Sequence, residues 1–304
     1  MHVFVTGASG WIGSAVVDEL LTAGHRVTGL ARSPESTQAL QRKGVEVLRG
    51  DLDDLDSLRA GAAGADATIH LANKHDWADL AGSNATERAA VQTIGDTLTE
   101  TRRPFLLASG LVGLASGRPA TEDDAAPFHG PDSLRGGSEN LALEFADRGV
   151  HSVSLRFSPT VHGTDDHGFI ATLSALAVDR GVSGYPGAGD NRWAAVHIAD
   201  AARMVVLGLE KASAGARLHA VAEEGIPTRV IAEAIGRAFD LPVASIPAEQ
   251  VQEHFGWIGG FFAMDAPASS AATRRLLGWT PVGPTLIEDI DAGAYQATSR
   301  LAAQ

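Results

Sequence analysis

Over residues 1–160 short apolar runs alternate with stretches of helical periodicity, and no other feature restricts the fold as much. Residues 3–6, 26–30, 45–48, 67–71, 105–108 and 153–155 read as strands. Residues 14–23, 34–44, 54–60, 84–103 and 134–148 read as the helices between them. Strands separated by helices run parallel, because each crossover returns the chain to the same end of the sheet. Phe105-Leu106-Leu107-Ala108 is apolar without a break, as a strand covered on both faces must be. The expected architecture is α/β, a doubly wound parallel sheet over residues 1–160. Beyond it the pattern loosens. Residues 157–195 are glycine-rich and read as loops; a helix is expected over 199–210, a strand over 217–221, and helices over 228–239 and 284–301. Residues 195–222 are expected to add to the first sheet's layer, and residues 161–304 to form a smaller substrate-binding part lying over its strand ends.

The first strand runs directly into Thr6-Gly7-Ala8-Ser9-Gly10-Trp11-Ile12-Gly13, and a helix follows. Glycine allows a tight turn and a close approach of backbone to a pyrophosphate. The helix N-terminus then offers free N–H groups and partial positive charge. A glycine triplet alone is a weak signal; in this strand–turn–helix setting it predicts a Rossmann-type dinucleotide site, with Thr6, Gly7, Gly10, Trp11, Ile12 and Gly13 around the phosphates.

The spacing is Gly-x-x-Gly-x-x-Gly, and the chain here resembles the short-chain dehydrogenase/reductase superfamily in its extended or atypical, epimerase/dehydratase-like branch. Gly50-Asp51-Leu52 is similar to the segment whose Asp meets the adenine, and Ile69-His70-Leu71-Ala72-Asn73 to the fourth strand's end beside the cofactor. Leu155-Arg156-Phe157-Ser158-Pro159 with Val161-His162-Gly163 resembles the segment beside the nicotinamide. Residues 195–202 and Leu277-Gly278-Trp279-Thr280-Pro281 resemble segments nearer the C-terminus, so the likeness spans almost the whole chain. It implies cofactor contacts from Asp51, Leu52, Leu71, Ala72, Asn73 and Pro159 as well as from the glycine turn.

Where an acidic residue at the end of the second strand would hold the ribose hydroxyls of NAD, this chain has Ala31-Arg32-Ser33. A guanidinium suits a 2′-phosphate, and Ser33 could add a hydrogen bond. The expectation is NADP(H) in preference to NAD(H); the alternative is that Arg32 is simply an exposed strand end. The superfamily's usual proton donor, a Tyr followed four residues later by a Lys, is absent: the two tyrosines are Tyr185 and Tyr295, and neither has a Lys at that spacing. Aligned on the resemblance, the Tyr slot falls near Arg135 and the Lys slot near Glu139. Arg135 could stabilise negative charge developing on a substrate oxygen, and Glu139 could accept from ribose hydroxyls. An i,i+4 salt bridge between them on a helix surface is the bland alternative. Ser109 stands in the place of the superfamily's substrate-contacting Ser; as Ala108-Ser109-Gly110 it also suits a turn.

His162-Gly163-Thr164-Asp165-Asp166-His167 admits a metal site, a general acid or a polar loop. So flexible a stretch offers a metal little order, and none is expected. His167 is a candidate proton donor beside the nicotinamide, with His129 as another. Phe169, Trp193, Phe255, Trp257, Phe261 and Phe262 could line an apolar pocket or fill a core, and Gly259-Gly260-Phe261-Phe262 could form its flap.

Composition removes several classes. There are 24 Lys and Arg against 37 Asp and Glu, a net charge of −13, which disfavours a nucleic-acid surface. Cysteine is absent, so disulfides and thiolate chemistry are excluded. No apolar run reaches the roughly 18 residues of a membrane span. The strand beginning at His2 leaves no room for a signal peptide, and a cytoplasmic location is expected. The leading expectation is an NADP(H)-dependent oxidoreductase reducing a carbonyl, C=C or C=N bond of a fairly apolar small molecule, possible homodimer included. A non-catalytic dinucleotide-binding redox sensor is the alternative, and an epimerase is weakened by the lost Tyr.

Overall fold

The computed structural model describes residues 1–74, 76 and 79–296. The chain opens with β1 (His2–Thr6), α1 (Trp11–Thr22), β2 (Arg26–Ala31), α2 (Pro34–Arg42), β3 (Glu46–Arg49), α3 (Leu55–Ala63), β4 (Ala67–His70), α4 (Leu80–Leu98) and β5 (Pro104–Gly110). Ser33 caps α2 in a reciprocal box with Ser36, and Asp54 and Asp79 cap α3 and α4, so three of these helices begin where a side-chain oxygen meets a first-turn N–H. Next come α5 (Ser138–Glu144), β6 (His151–Phe157), β7 (Thr160–His162), α6 (Phe169–Arg180), β8 (Ser183–Pro186), β9 (Arg192–His197), α7 (Ile198–Lys211) and β10 (Arg217–Ala220). The chain continues through β11 (Glu223–Pro227), α8 (Thr228–Phe239), β12 (Val243–Ile246), α9 (Val251–Phe255), α10 (Gly259–Phe262), α11 (Ala271–Leu277) and α12 (Leu286–Asp291).

Seven strands form one parallel sheet in the order β10-β6-β5-β4-β1-β2-β3. This is a Rossmann-type α/β fold. The side-chain alternation of each strand serves two cores. Val3 and Val5 face the layer of α1 and α7, whereas Phe4 faces α3 and α4. In β5, Leu106 and Ala108 take the first side, and Phe105 and Leu107 the second. In β6 the rule is broken on one face: Ser152, Ser154 and Arg156 are all buried there, opposite Val153, Leu155 and Phe157.

Residues 198–220 rejoin this layer, α7 against α1 and β10 beside β6. Residues 195–197 end β9, which sits with β11 and β7 in a separate three-stranded sheet. With α6, α8, α12 and the β12–β8 pair, this sheet packs around Trp193, Ile231, Phe255, Phe262 and Tyr295. The region 157–195, expected as loop, thus holds four elements; their short strands pair with residues far along the chain, which no local pattern reveals. The helix expected over 134–148 is broken, because Arg135, Gly136 and Gly137 all take left-handed φ of 53°, 59° and 64°. Of the helix expected over 284–301, α12 forms only its first part, and residues 297–301 lie outside the described residues. The stretch expected as a flap is α10, with Phe262 buried.

The helix α1 crosses the turn before it at very short range. A Cβ on Gly13 would lie 2.0 Å from the carbonyl oxygen of Gly7, a backbone atom that cannot rotate away. Gly13→Ala is expected to lower the unfolding free energy by about 1–3 kcal/mol, read as a lower urea midpoint at unchanged m.

Candidate active site

The phosphate-binding end is built from the turn after β1. Gly7 has φ of +68°, and a Cβ there would lie 2.7 Å from the backbone nitrogen of Ala72. The Gly10 N–H closes the turn on Gly7 O at 2.9 Å. No side chain caps α1, so its first-turn N–H groups are left for an anion. A dinucleotide pyrophosphate fits this cradle. The other residues expected here mostly hold it in place. Thr6 Oγ1 lies 2.7 Å from His70 Nδ1 and accepts from the Ala72 N–H, fastening β1 to the end of β4. Trp11 donates Nε1–H to Val161 O at 2.8 Å, tying the turn to β7. Ile12 packs into the α1 core and Leu52 into the α3–α4 core. Leu71 packs against the α1-side core and Ala72 against the opposite one. Asp51 accepts from the N–H groups of Asp53 and Asp54, which shapes the loop after β3. Arg32 is exposed and makes no hydrogen bond or ion pair among the described residues, while the Ser33 hydroxyl is engaged as the α2 cap.

A cavity of about 300 Å³ opens at the C-terminal ends of β5 and β6. Its walls are largely apolar, with Leu111, Phe128, Phe169 and Phe261 among them; Asn73, Ser109, Arg135, Glu139 and Pro159 also reach it. Ser109 donates Oγ–H to Glu139 Oε2 at 2.6 Å. The other oxygen, Oε1, accepts from Arg156 Nε at 2.8 Å and lies 2.6 Å from Nη2. Arg156 is fully buried and Glu139 is 7% exposed, so each charge needs the other. Behind them Arg156 Nη1 meets His219 Nε2 at 3.2 Å, and His219 Nδ1 meets Ser269 O at 2.8 Å. Burial, with Arg156 alongside, pushes the His219 value down, which fits a neutral ring protonated on Nδ1.

Arg135 and Glu139 do not form the surface i,i+4 pair. Arg135 is turned out of the helix by its left-handed backbone, and its Nη2 meets Glu87 Oε1 at 2.6 Å. Three residues on one face of α4 hold this segment: Asn84 accepts the Arg135 N–H at 2.8 Å, Glu87 takes the guanidinium, and Arg88 donates to Gly136 O at 2.7 Å. Glu87 is buried and also accepts from Asn73 Nδ2 at 3.2 Å, with His70 Nε2 at 3.6 Å. Burial alone would raise its carboxyl; Arg135 and His70 outweigh that and hold it at about 2.

Residues 7–120 match the family described as NAD(P)H-binding. An uncharacterized protein of Schizosaccharomyces pombe is 44% identical over 97% of this chain and 100% of its own length. The 4-hydroxy-2-methyl-3-oxo-4-farnesyl-3,4-dihydroquinoline-1-oxide ketoreductase of Stigmatella aurantiaca is 30% identical over 57% of this chain and 54% of its own. The chain belongs to one family with the Schizosaccharomyces pombe protein, and its residues 7–120 form an NAD(P)H-binding domain. Its fold is that of the extended, epimerase/dehydratase-like branch: UDP-glucose 4-epimerase of Thermus thermophilus, solved in complex with NAD, matches at a TM-score of 0.75 and 20% identity over 99% of both chains. The matched domain is one for a nicotinamide dinucleotide.

Against the resemblance read from the sequence the departures are specific. Neither tyrosine lines the cavity. Tyr295 is buried far along the chain, where its hydroxyl donates to Asp166 at 3.0 Å, and burial together with Asp166 raises it well above the usual phenol range. His167, expected as a proton donor, is not brought to Ser109. Asp166 turns inward to Tyr295 and to the Gly168 N–H, which leaves His167 exposed with its ring edge-on to Trp11. His129 is exposed as well, and neither His lines the cavity. His162 is buried against Asp289 at 2.6 Å, and among the described residues no three His, Asp or Glu side chains are arranged to hold a metal. No helix among the described residues is long and apolar enough to cross a membrane. Of the aromatics proposed for a pocket, Phe169 and Phe261 reach the cavity, while Trp193, Phe255 and Phe262 fill the second core.

The sequence did hold a signal for Glu87. It falls at a helical spacing with Ala90, Val91, Ile94 and Leu98, inside the buried stripe of α4, where a carboxylate requires a partner. Its folded-state value lies below the unfolded one. Its contribution to stability is therefore complete above about pH 4.5 and is lost as pH falls toward about 2. In Glu87→Gln, chemical unfolding is expected to show lower stability near neutral pH, where Arg135 loses its counter-ion, and a flatter pH dependence across that acid interval.

Proposed function

We propose that this protein is an NADPH-dependent reductase acting on a carbonyl group of a fairly apolar small molecule. The observation that carries the reading is the Ser109–Glu139–Arg156 chain, which puts an exchangeable proton at the wall of an otherwise apolar cavity. The name of the Stigmatella aurantiaca relative, a ketoreductase, supports the reaction class. Bound dihydronicotinamide would supply a hydride to the carbonyl carbon.

The chain's own residues would do the rest. Ser109 turns its hydroxyl to the carbonyl oxygen and gives up its proton as negative charge develops there. Solvent replaces that proton by way of the Glu139 carboxylate, whose Oε2 lies 2.6 Å from the Ser109 oxygen. Arg156 holds Glu139 as the carboxylate before and after the transfer, so the site ends each turnover as it began. The reverse direction takes a proton from an alcohol along the same path. Asn73 and Pro159 border the cavity on the cofactor side, and the apolar walls exclude water from the reacting carbon.

The preference for NADPH rests on Arg32. Among the described residues its guanidinium has no partner at the end of β2, beside the N-terminus of α2, and Ala31-Arg32-Ser33 puts no carboxylate at that strand end. A 2′-phosphate there would accept two charge-assisted hydrogen bonds. Calorimetry is expected to show tighter binding of NADPH than of NADH, and Arg32→Ala to weaken NADPH by about 10-fold or more while leaving NADH nearly unchanged.

For turnover, a panel of ketones followed by loss of NADPH absorbance tests the proton path. Ser109→Ala and Glu139→Gln are each expected to lower kcat by roughly 10²–10⁴-fold, and the double variant to lose little more than the worse single one. Full activity in Glu139→Gln, which keeps the shape but cannot carry the proton, would remove the dyad from the reaction.

A further inference from the structure

Resting on that reading, we propose that the substrate is an oxo acid, its carboxylate held by Arg135 while its carbonyl is reduced at Ser109. Both residues line the same cavity. Arg135 carries five N–H donors, and among the described residues only Nη2 has a partner, Glu87. Nε is buried with no hydrogen-bond partner. The backbone at Arg135 is left-handed, a conformation that a residue with a long side chain rarely adopts, and the three α4 contacts from Asn84, Glu87 and Arg88 fix it there.

The only other cation on the cavity wall, among the described residues, is Lys74. Its ammonium is already shared between both Asp53 oxygens and the Thr86 hydroxyl. Arg135 is therefore the donor with capacity to spare. Nε lies too deep to meet a ligand and shares its edge with Nη2, which Glu87 takes, so the donors left for a carboxylate oxygen are those of Nη1. Glu87 sets the orientation of the guanidinium through Nη2. The carbonyl carbon gains the hydride, its oxygen gains the Ser109 proton, and the carboxylate passes through unchanged, leaving a hydroxy acid.

The test compares straight-chain 3-, 4- and 5-oxo acids with their methyl esters on the cofactor-loaded enzyme, together with calorimetric binding of hexanoate and hexanamide, neither of which has a ketone to reduce. The expected result is a KM at least 10-fold lower for one of the acids than for its ester, and hexanoate bound more tightly than hexanamide by a similar factor. In Arg135→Met both preferences collapse to within about 2-fold, and in Arg135→Lys they are partly restored. Turnover of the esters by Arg135→Met would show that this variant is folded. Acids and esters used equally by the unaltered enzyme would overturn the carboxylate assignment and leave the reductase reading standing. Hexanoate bound selectively through Arg135 with no oxo compound reduced would uphold the anchor and count against the reductase. Hexanoate and hexanamide bound alike would overturn the anchor whatever the turnover.

Discussion

A guanidinium with no exposure, set in the middle of a sheet, is the constraint around which the catalytic end of this molecule is arranged. Arg156 sits on the buried face of β6, between strands that are otherwise apolar or lined by small hydroxyls. An unpaired charge there would cost several kcal/mol. The pairing with Glu139 fixes the start of α5, and the free oxygen of Glu139 then fixes Ser109 at the end of β5. Three elements meet through one carboxylate. No Tyr or Lys lies on this helix, and the Glu139 carboxylate, paired with Ser109 and Arg156, stands there.

A second buried carboxylate does the corresponding work at the outer wall. Glu87 joins His70, at the end of β4, to Arg135, and His70 in turn meets Thr6 beside the glycine turn. The phosphate cradle and the substrate cavity are therefore connected by side chains with no water-exposed break at Glu87. Such a connection keeps both sites in one register: a shift of β4 against α4 would strain the Arg135 segment as well as the turn.

Much of this was legible from residue order. The parallel sheet followed from alternation alone, since strand and helix periods are local, and the glycine turn followed from its position between the two. Ser109, Arg135 and Glu139 were found through the family likeness, but their partners were not. Arg135 meets a residue 48 positions away, and Glu139 one 17 positions away, whereas sequence spacing suggested that they meet each other. The broken helix at Gly136-Gly137 is the reason, because it turns Arg135 away from α5. The elements within 157–195 escaped for a related cause: β7 and β9 are short, glycine surrounds them, and their stability comes from pairing with one another and with β11. That Asp166 is the residue drawn inward by Tyr295, leaving His167 exposed beside Trp11, is not legible from anything local.

The claim that the Arg156–Glu139 pair organises the site is tested most directly by a double-mutant cycle on unfolding free energy, using Arg156→Met, Glu139→Gln and the two together. The account predicts that Arg156→Met costs about 3–5 kcal/mol, and that the double variant loses well under the sum of the two single losses, since removing both charges leaves neither stranded. Additive losses, or an Arg156→Met protein as stable as the original, would contradict it.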